Sequence, residues 1–283
     1  MPGTLFVVAT PIGNLEDVSF RALRVLREAS LIAAEDTRRT ATLLARHDIR
    51  TPTTSFHEHN ERQKLPVLLG KLASGETIAQ VSDAGTPGIS DPGFRLVRAA
   101  VELGIRIEVV PGPSAAISAL VASGFPTSSF TFLGFPPARG QDRRAWMTAL
   151  AKEPRTCVFF EAPHRIRATL EELRPELGDR QVAVAREMTK VHEEVIRGTV
   201  THVLGCLTNP RGELTVVVAP PPDEAHDSQP LSDGEILERF VQLTDSKDIS
   251  RRGAVGAIAR ATGLPSKAVY DAIERAKKSP AAS

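Results

Sequence analysis

Through residue 219 the chain repeats one unit: a short apolar run, a turn, then an amphipathic helix. Leu5, Phe6, Val7, Val8 and Ala9 form the first run, which stops at Thr10-Pro11-Ile12-Gly13-Asn14. A run of that length bounded by turn residues reads as a buried strand. Val18, Ala22, Leu23, Val25, Leu26 and Ala29 then recur at helical spacing with Arg21, Arg24 and Arg27 between them, which predicts a helix over 18–29. The same reading predicts strands at 31–34, 78–81 and 105–110, and helices over 37–47, 61–73 and 92–103. Strands alternating with helices build a largely parallel sheet, because parallel neighbours need a crossover that returns the chain to the same edge.

Beyond Pro111-Gly112-Pro113 the strands come more often, at 130–133, 157–160, 182–185, 194–196 and 214–219. Residues 193–197 alternate polar and apolar, as a strand wet on one face does. The expected fold class is α/β: two α/β domains, the first with a mostly parallel sheet and the second with a mixed one, plus a small C-terminal helical module. The expected bounds are 1–114 and 115–219 for the two domains, 220–231 for a Pro-rich linker and 232–283 for a helical tail. The ligand would lie in the cleft between the two α/β domains. In the tail, helices are predicted over 251–262 and 267–278 around a turn at Gly263-Leu264-Pro265, with Ile249-Ser250 opening the first and Ser266 capping the second. This is the outline of a helix-turn-helix, and equally of a charged two-helix tail packed on the body. Residues 223–248 carry eight acidic and two basic side chains, residues 249–283 two acidic and seven basic.

Composition removes several function classes. The net charge of +1 does not fit a chain that coats nucleic acid, although a local basic face remains open. Aromatic residues at 5% are too few for a single-strand binder built on stacking alone. Cys157 and Cys206 stand apart and outside any CxxC, as expected of a reducing cytoplasm and not of a zinc site. No apolar run approaches the roughly 18 residues of a membrane helix, and no basic segment precedes the first run, so neither a membrane span nor a signal peptide is expected. GxGxxG, GxxxxGK[ST] and GxSxG are all missing, which argues against a dinucleotide fold, a P-loop and a hydrolase elbow.

Residues 82–93, Ser-Asp-Ala-Gly-Thr-Pro-Gly-Ile-Ser-Asp-Pro-Gly, are the most informative stretch. Three Gly and two Pro forbid regular structure, and the glycines let a ligand approach the backbone. The loop follows a strand, where ligands bind in open α/β sheets. It holds Asp83 and Asp91 but no Lys or Arg, so it suits a cationic or hydroxyl-bearing ligand better than a polyphosphate. Asp91 before Pro92 fits a helix cap with Pro at the first helical position, whereas Asp83 has no such explanation and is assigned to function. The loops Pro11-Ile12-Gly13-Asn14 and Pro111-Gly112-Pro113-Ser114-Ala115 should open on the same edge.

Polar clusters close several strands: Glu35-Asp36-Thr37-Arg38-Arg39, Glu161-Ala162-Pro163-His164-Arg165, Arg186-Glu187-Met188-Thr189-Lys190 and Arg211-Gly212-Glu213. Their shared placement at strand ends raises them above ordinary surface ion pairs. A metal would need His57 and His59 to share a strand face, but no third ligand is evident from spacing, so they read instead as a loop pair of solvated histidines and no metal site is expected.

Taken together, these loops and clusters, with His57-Glu58-His59-Asn60 and Gly134-Phe135-Pro136-Pro137, resemble the ribosomal branch of the tetrapyrrole methylase family, in order along the whole chain. Met188 and Pro136 stand where that branch usually has Leu, and Arg211 where it often has Lys. The resemblance implies a two-domain methyltransferase, usually a homodimer, that uses S-adenosylmethionine to methylate the ribose 2′-oxygen of a cytidine in 16S rRNA of the small ribosomal subunit. It implies that Pro11 and Gly13 flank the cofactor and that Asp83, Ala84, Gly85 and Thr86 surround its ribose and methionine portion. Ser114 and Ala115 would touch the cofactor, and Glu161 and Ala162 would close over it.

Methyl transfer to a ribose hydroxyl needs alignment and removal of a proton, and no metal. Glu187 is the candidate base, with Lys190 or Arg38 orienting the hydroxyl or a phosphate; Asp36 is the second candidate base. An interdomain ion-pair network would use the same four residues. Arg38, Arg39, Arg62, Arg143, Arg144, Arg165, Arg167 and Lys190 are the cations available to line the cleft mouth for RNA. The competing functions are C-methylation of a tetrapyrrole and a non-catalytic helix-turn-helix regulator.

Overall fold

The structure, a computed structural model, describes residues 2–178, 180–208, 212–222, 232–245, 250–262 and 264–278. Residues 2–221 belong to one compact unit. Its first half runs β1 (Thr4–Val8), α1 (Phe20–Glu28), β2 (Leu31–Ala34), α2 (Thr37–Arg46), β3 (Thr53–Ser55), α3 (Glu61–Ala73), β4 (Ile78–Val81), α4 (Phe94–Glu102) and β5 (Arg106–Val110). Its second half runs α5 (Ala115–Ser123), β6 (Phe130–Phe132), α6 (Gly140–Lys152), β7 (Thr156–Glu161), α7 (Ile166–Leu177), β8 (Gln181–Arg186), β9 (Glu194–Thr199), α8 (Val200–Cys206) and β10 (Leu214–Val218).

The first five strands form a wholly parallel sheet in the order β3-β2-β4-β1-β5. Side chains alternate between its faces, as the two-residue period of a strand demands. Val8, Ile32, Ala34, Ala79 and Val81 pack with Leu23, Leu26, Leu43 and Leu44 on one side. Leu5, Ala33 and Ile78 pack with Leu68, Leu72 and Leu96 on the other. The chain leaves β1 towards β2 on one side and leaves β4 towards β5 on the other. Strands β1 and β4 therefore flank the point where the winding reverses, and ligands bind at the carboxyl ends of strands at such a point.

The second sheet has the order β6-β7-β10-β8-β9, with β6 and β7 parallel and the other neighbours antiparallel. One face packs Cys157, Phe159, Val184 and Val216 with Leu170, Leu173 and Val203. The other is covered by α5, whose Ala116, Ala119 and Leu120 meet Val158, Ala185 and Val217. Because α5 leaves the first sheet and lands on the second, the loop that precedes it joins the two.

Residues 232–245, 250–262 and 264–278 belong to a second compact unit with a core of its own. It contains α9 (Asp233–Asp245), α10 (Arg251–Thr262) and α11 (Ser266–Lys278). Ile236 and Phe240 of α9 pack with Ala254, Ile258, Val269 and Ile273, and Arg275 pairs with Asp233 at 2.7 Å. The tail is thus a three-helix unit, where two helices were expected. The linker residues 223–231, and Arg211, Ile249 and Gly263, lie outside the described residues.

One local expectation is corrected. Helix α4 begins at Phe94 with Gly93 as its cap, so Asp91 and Pro92 precede the helix and the aspartate is free of the capping role. Strand β3 ends at Ser55, so His57 and His59 fall in the following turn, as the loop reading has it. Asn60 organises that turn by accepting from the His57 N–H at 2.9 Å and donating to Ser55. Among the described residues no group of His, Cys, Asp and Glu could hold a metal ion, and no helix is long and apolar enough to cross a membrane.

Candidate active site

Three loops leave the carboxyl ends of β1, β4 and β5. The first two are stitched together: Thr10 N–H donates to Gly85 O at 2.9 Å, and Gly85 N–H to Thr10 O at 3.0 Å. The Thr10 hydroxyl donates to Ser82 O at 3.0 Å. Carboxylates tie the second of these loops to the segment that follows β2. Asp83 N–H donates to Glu35 Oε2 at 3.1 Å, Asp83 Oδ1 accepts from Asp36 N–H at 3.0 Å, and Arg39 approaches Asp83 Oδ2 at 3.2 Å.

These loops and the second sheet enclose a cleft of about 620 Å³, within the range of roughly 300–1,000 Å³ usual for small-molecule sites. Pro11, Gly13, Asp83, Ala84, Gly85, Thr86, Ser114, Ala115, Glu187 and Lys190 all line it. Asp36, Arg38, Glu161 and Ala162 do not. Asp36 caps α2 by accepting from Arg38 N–H at 2.8 Å, and its carboxylate also holds the Arg38 guanidinium, which keeps it well below the ordinary carboxylate range. Glu161 is fully buried, accepts from Ala162 N–H and Thr169, and lies 3.4 Å from Arg165.

The expected RNA-facing arginines divide in the same way. Arg39 lines the cleft, and Arg38, Arg62 and Arg144 are exposed. Arg143, Arg165 and Arg167 are instead tied to internal groups: Arg143 to the Glu172 carboxylate, the Thr169 hydroxyl and the Pro137 carbonyl, Arg165 to the carbonyls of Pro136 and Pro137, and Arg167 to those of Leu204 and Leu207. The sequence pattern alone could not show these contacts.

The β8–β9 connection brings in Glu187 and Lys190. Lys190 Nζ lies 3.0 Å from Glu187 Oε1. Glu187 and Thr189 both have positive φ, 50° and 68°, so this turn is held in a conformation that non-glycine residues rarely adopt. Two glycines make room for it. A Cβ on Gly13 would lie 2.7 Å from Lys190 Cγ, and one on Gly212 would lie 1.7 Å from Glu187 Oε1.

The sequence reading gave no cofactor or catalytic role to several lining residues, although most of them fall in the motifs it singled out. Glu35, Asp91 and Glu213 add carboxylates, and Ile12, Ile89, Phe135, Phe160 and Met188 add apolar surface. Burial pushes the Asp91 carboxyl up to about 7, assisted by the charges of Glu35, Glu213 and Asp83. Burial likewise raises Glu35. The cations of the cleft wall, Arg39 and Lys190, are each paired with a carboxylate. The donor set therefore favours a cation with an apolar portion and offers no cradle for a polyphosphate.

The comparisons with known proteins agree with this geometry. The family described as Tetrapyrrole (Corrin/Porphyrin) Methylases matches residues 4–204. A Xylella fastidiosa protein named Ribosomal RNA small subunit methyltransferase I is 45% identical over 274 residues, covering 95% of this chain and 98% of that one. Its Thermotoga maritima namesake is 49% identical over 219 residues, covering 77% and 98%. Among solved structures, uroporphyrin-III C-methyltransferase of Thermus thermophilus complexed with S-adenosylhomocysteine superposes with a TM-score of 0.55 at 18% identity, covering 77% and 97%. At that identity the likeness is one of fold.

Proposed function

This chain belongs to the tetrapyrrole methylase family, and we propose that it is an S-adenosylmethionine-dependent methyltransferase acting on the small-subunit ribosomal RNA. The observation that carries this is the likeness, along nearly the full length of both chains, to proteins named for that activity. The finer reading is that the acceptor is the ribose 2′-oxygen of a cytidine in 16S rRNA. In this reading residues 1–114 and 115–219 act as two lobes around the cleft.

The cleft fits the cofactor. Its surplus of carboxylates over cations suits a sulfonium and an ammonium, and its apolar wall suits an adenine. Pro11, Gly13, residues 83–86, Ser114 and Ala115 would hold it, joined by Asp91, Ile89 and Met188. Bound there, S-adenosylmethionine supplies an electrophilic methyl group on a positively charged sulfur. Glu187 accepts the proton of the acceptor hydroxyl at its carboxylate. Lys190 Nζ, 3.0 Å away, keeps that carboxylate in place and carries the positive charge that a nearby RNA phosphate needs. Asp36 and Arg38 stand at the start of α2 as a capping pair. Glu161 and Ala162 shape the opposite wall through their neighbours Phe160 and Pro163.

The chain works in the cytoplasm as a homodimer. In support of the dimer, β5 is an edge strand whose Val109 is exposed, and Ile117 and Val121 of α5 also present apolar surface. A net charge of +1 gives little general attraction to RNA, so the substrate is the assembled subunit. Neither the tetrapyrrole substrate, which rests on likeness of fold, nor a helix-turn-helix regulator has an observation of its own in its favour.

Tritium transfer from labelled S-adenosylmethionine tests this reading. Label is expected in 16S rRNA of intact small subunits, as 2′-O-methylcytidine on nucleoside mapping. Equal incorporation into deproteinised RNA contradicts the assembled substrate, and label in a porphyrinoid alone contradicts the RNA activity.

A further inference from the structure

In the stretch of cleft wall that follows β6, Phe135 is 48% exposed although it lines the cleft. Its ring lies 5.5 Å from that of Phe160, tilted by 56°, and Phe160 meets Phe132 edge-on at 5.1 Å. Uncovered aromatic surface facing water is unfavourable, and a chain that only needed to close this wall could have used a smaller or polar residue.

The effort spent on holding this wall is large. Arg165 donates to the carbonyls of Pro136 and Pro137, and Arg143 also donates to Pro137, so the two residues after Phe135 are clamped. Glu161, next to Phe160, faces Arg165 directly and reaches Arg143 through Thr169, while Glu172 is the direct carboxylate partner of Arg143 at 2.8 Å. Glu161 Oε1 accepts from Ala162 N–H at 2.8 Å and faces Arg165 at 3.4 Å. Its Oε2 accepts from the Thr169 hydroxyl at 2.6 Å, and that hydroxyl accepts from Arg143 at 2.9 Å. Glu161 and Thr169 are fully buried. Taking such charges out of water costs several kcal/mol per ion before pairing is counted, and removal of one partner strands the other. This network meets the cleft through the backbone beside Phe135 and Phe160.

We propose that the exposed ring of Phe135, braced by Phe160, is a stacking shelf for a flat nucleobase, and that Glu161, Thr169, Arg143 and Arg165 are positioning residues that hold the shelf in place. This rests on the reading that the cleft takes a methyl donor and a ribonucleotide. Either the adenine of the donor or the base of the acceptor nucleotide has the required chemistry. Stacking on an aromatic side chain is worth roughly 1–3 kcal/mol per base, or about fivefold to 150-fold in affinity.

The test uses the full chain, S-adenosylhomocysteine as calorimetric probe, and intact small subunits as acceptor. Phe135→Ala is expected to weaken one interaction by about tenfold or more. A higher Kd for S-adenosylhomocysteine identifies the base as adenine. A higher KM for subunits at unaltered Kd identifies it as the acceptor base. Phe135→Tyr, which keeps a flat ring, should recover most of the loss, and Phe135→Leu, apolar but not flat, should not. Thr169→Val, which severs the link between Arg143 and Glu161, should move the same constant in the same direction. In the double variant with Phe135→Ala the two effects should not add, because both act through one shelf. If wild type binds the probe and methylates subunits while Phe135→Ala matches it in both constants, the shelf is disproved and the methyltransferase reading stands. Leu performing as well as Tyr, or fully additive losses with Thr169→Val, also overturns it. If wild type binds no probe, both fall together.

Discussion

Gly212 and Glu187 share one corner of the cleft: a Cβ at residue 212 would sit 1.7 Å from Glu187 Oε1. The carboxylate reaches its position because the residue opposite has no side chain. Gly212 also has a φ of +71°, so an L residue there is strained as well as obstructive. Gly212→Ala is therefore expected to displace Glu187 and lower the single-turnover rate by about tenfold or more, a loss of transition-state positioning. Donor affinity, measured by calorimetry, should change much less. A matching loss of affinity would show that residue 212 shapes the donor pocket and not the base.

Glu187→Gln keeps the shape of the side chain and removes its basicity. A positioned base contributes about 10²–10⁴-fold, so the rate should fall into that range with little change in donor affinity. Single-turnover methylation of intact subunits reads this directly. Wild-type rates in this variant would remove Glu187 from proton transfer.

Asp91 sets a pH dependence of stability. In the folded chain its carboxyl holds a proton up to about pH 7, against 3.8 ordinarily, chiefly because it is buried. The folded state therefore binds the extra proton between those values. The contribution of that proton to stability is complete below pH 3.8 and is lost as pH rises through about 7. Asp91→Asn carries no such charge. It should be more stable than wild type at pH 8, by about 1–2 kcal/mol after solvent screening, with the gap narrowing as pH falls below 7 and closing only near 3.8. Thermal melts across that interval check it, and a gap that does not vary with pH would contradict it.

Much of this architecture is written locally in the chain. The apolar runs at β1 and β2 are contiguous and that at β4 is broken only by the buried Gln80; each ends in a turn or capping signal next to the cleft. The acidic loop after β4 could be assigned to a cationic ligand because its lack of Lys and Arg is visible without a structure. Strand β3 was hidden because Thr53–Ser55 is polar and its pairing with β2 is a tertiary fact. Asp91 carried a local capping signature, but the loop runs on to Gly93, and the carboxyl joins Glu35 and Glu213 from distant strands. Phe160 reads as the last apolar residue of a buried run; only its register against Thr215, which also lines the cleft, shows that it faces the cleft. Side-chain direction at a strand end depends on sheet order, and sheet order is not local.

The most direct measurement is isothermal titration near pH 7 in two buffers of different ionisation enthalpy. S-adenosylmethionine should bind and release protons, because a cation in the cleft favours the ionised form of Asp91; S-adenosylhomocysteine, without the sulfonium, should release fewer. A nucleoside triphosphate should give no heat in the cleft. Silence with S-adenosylmethionine, together with binding of the triphosphate that Asp83→Asn alters, would contradict the assignment of this cleft to a cationic methyl donor.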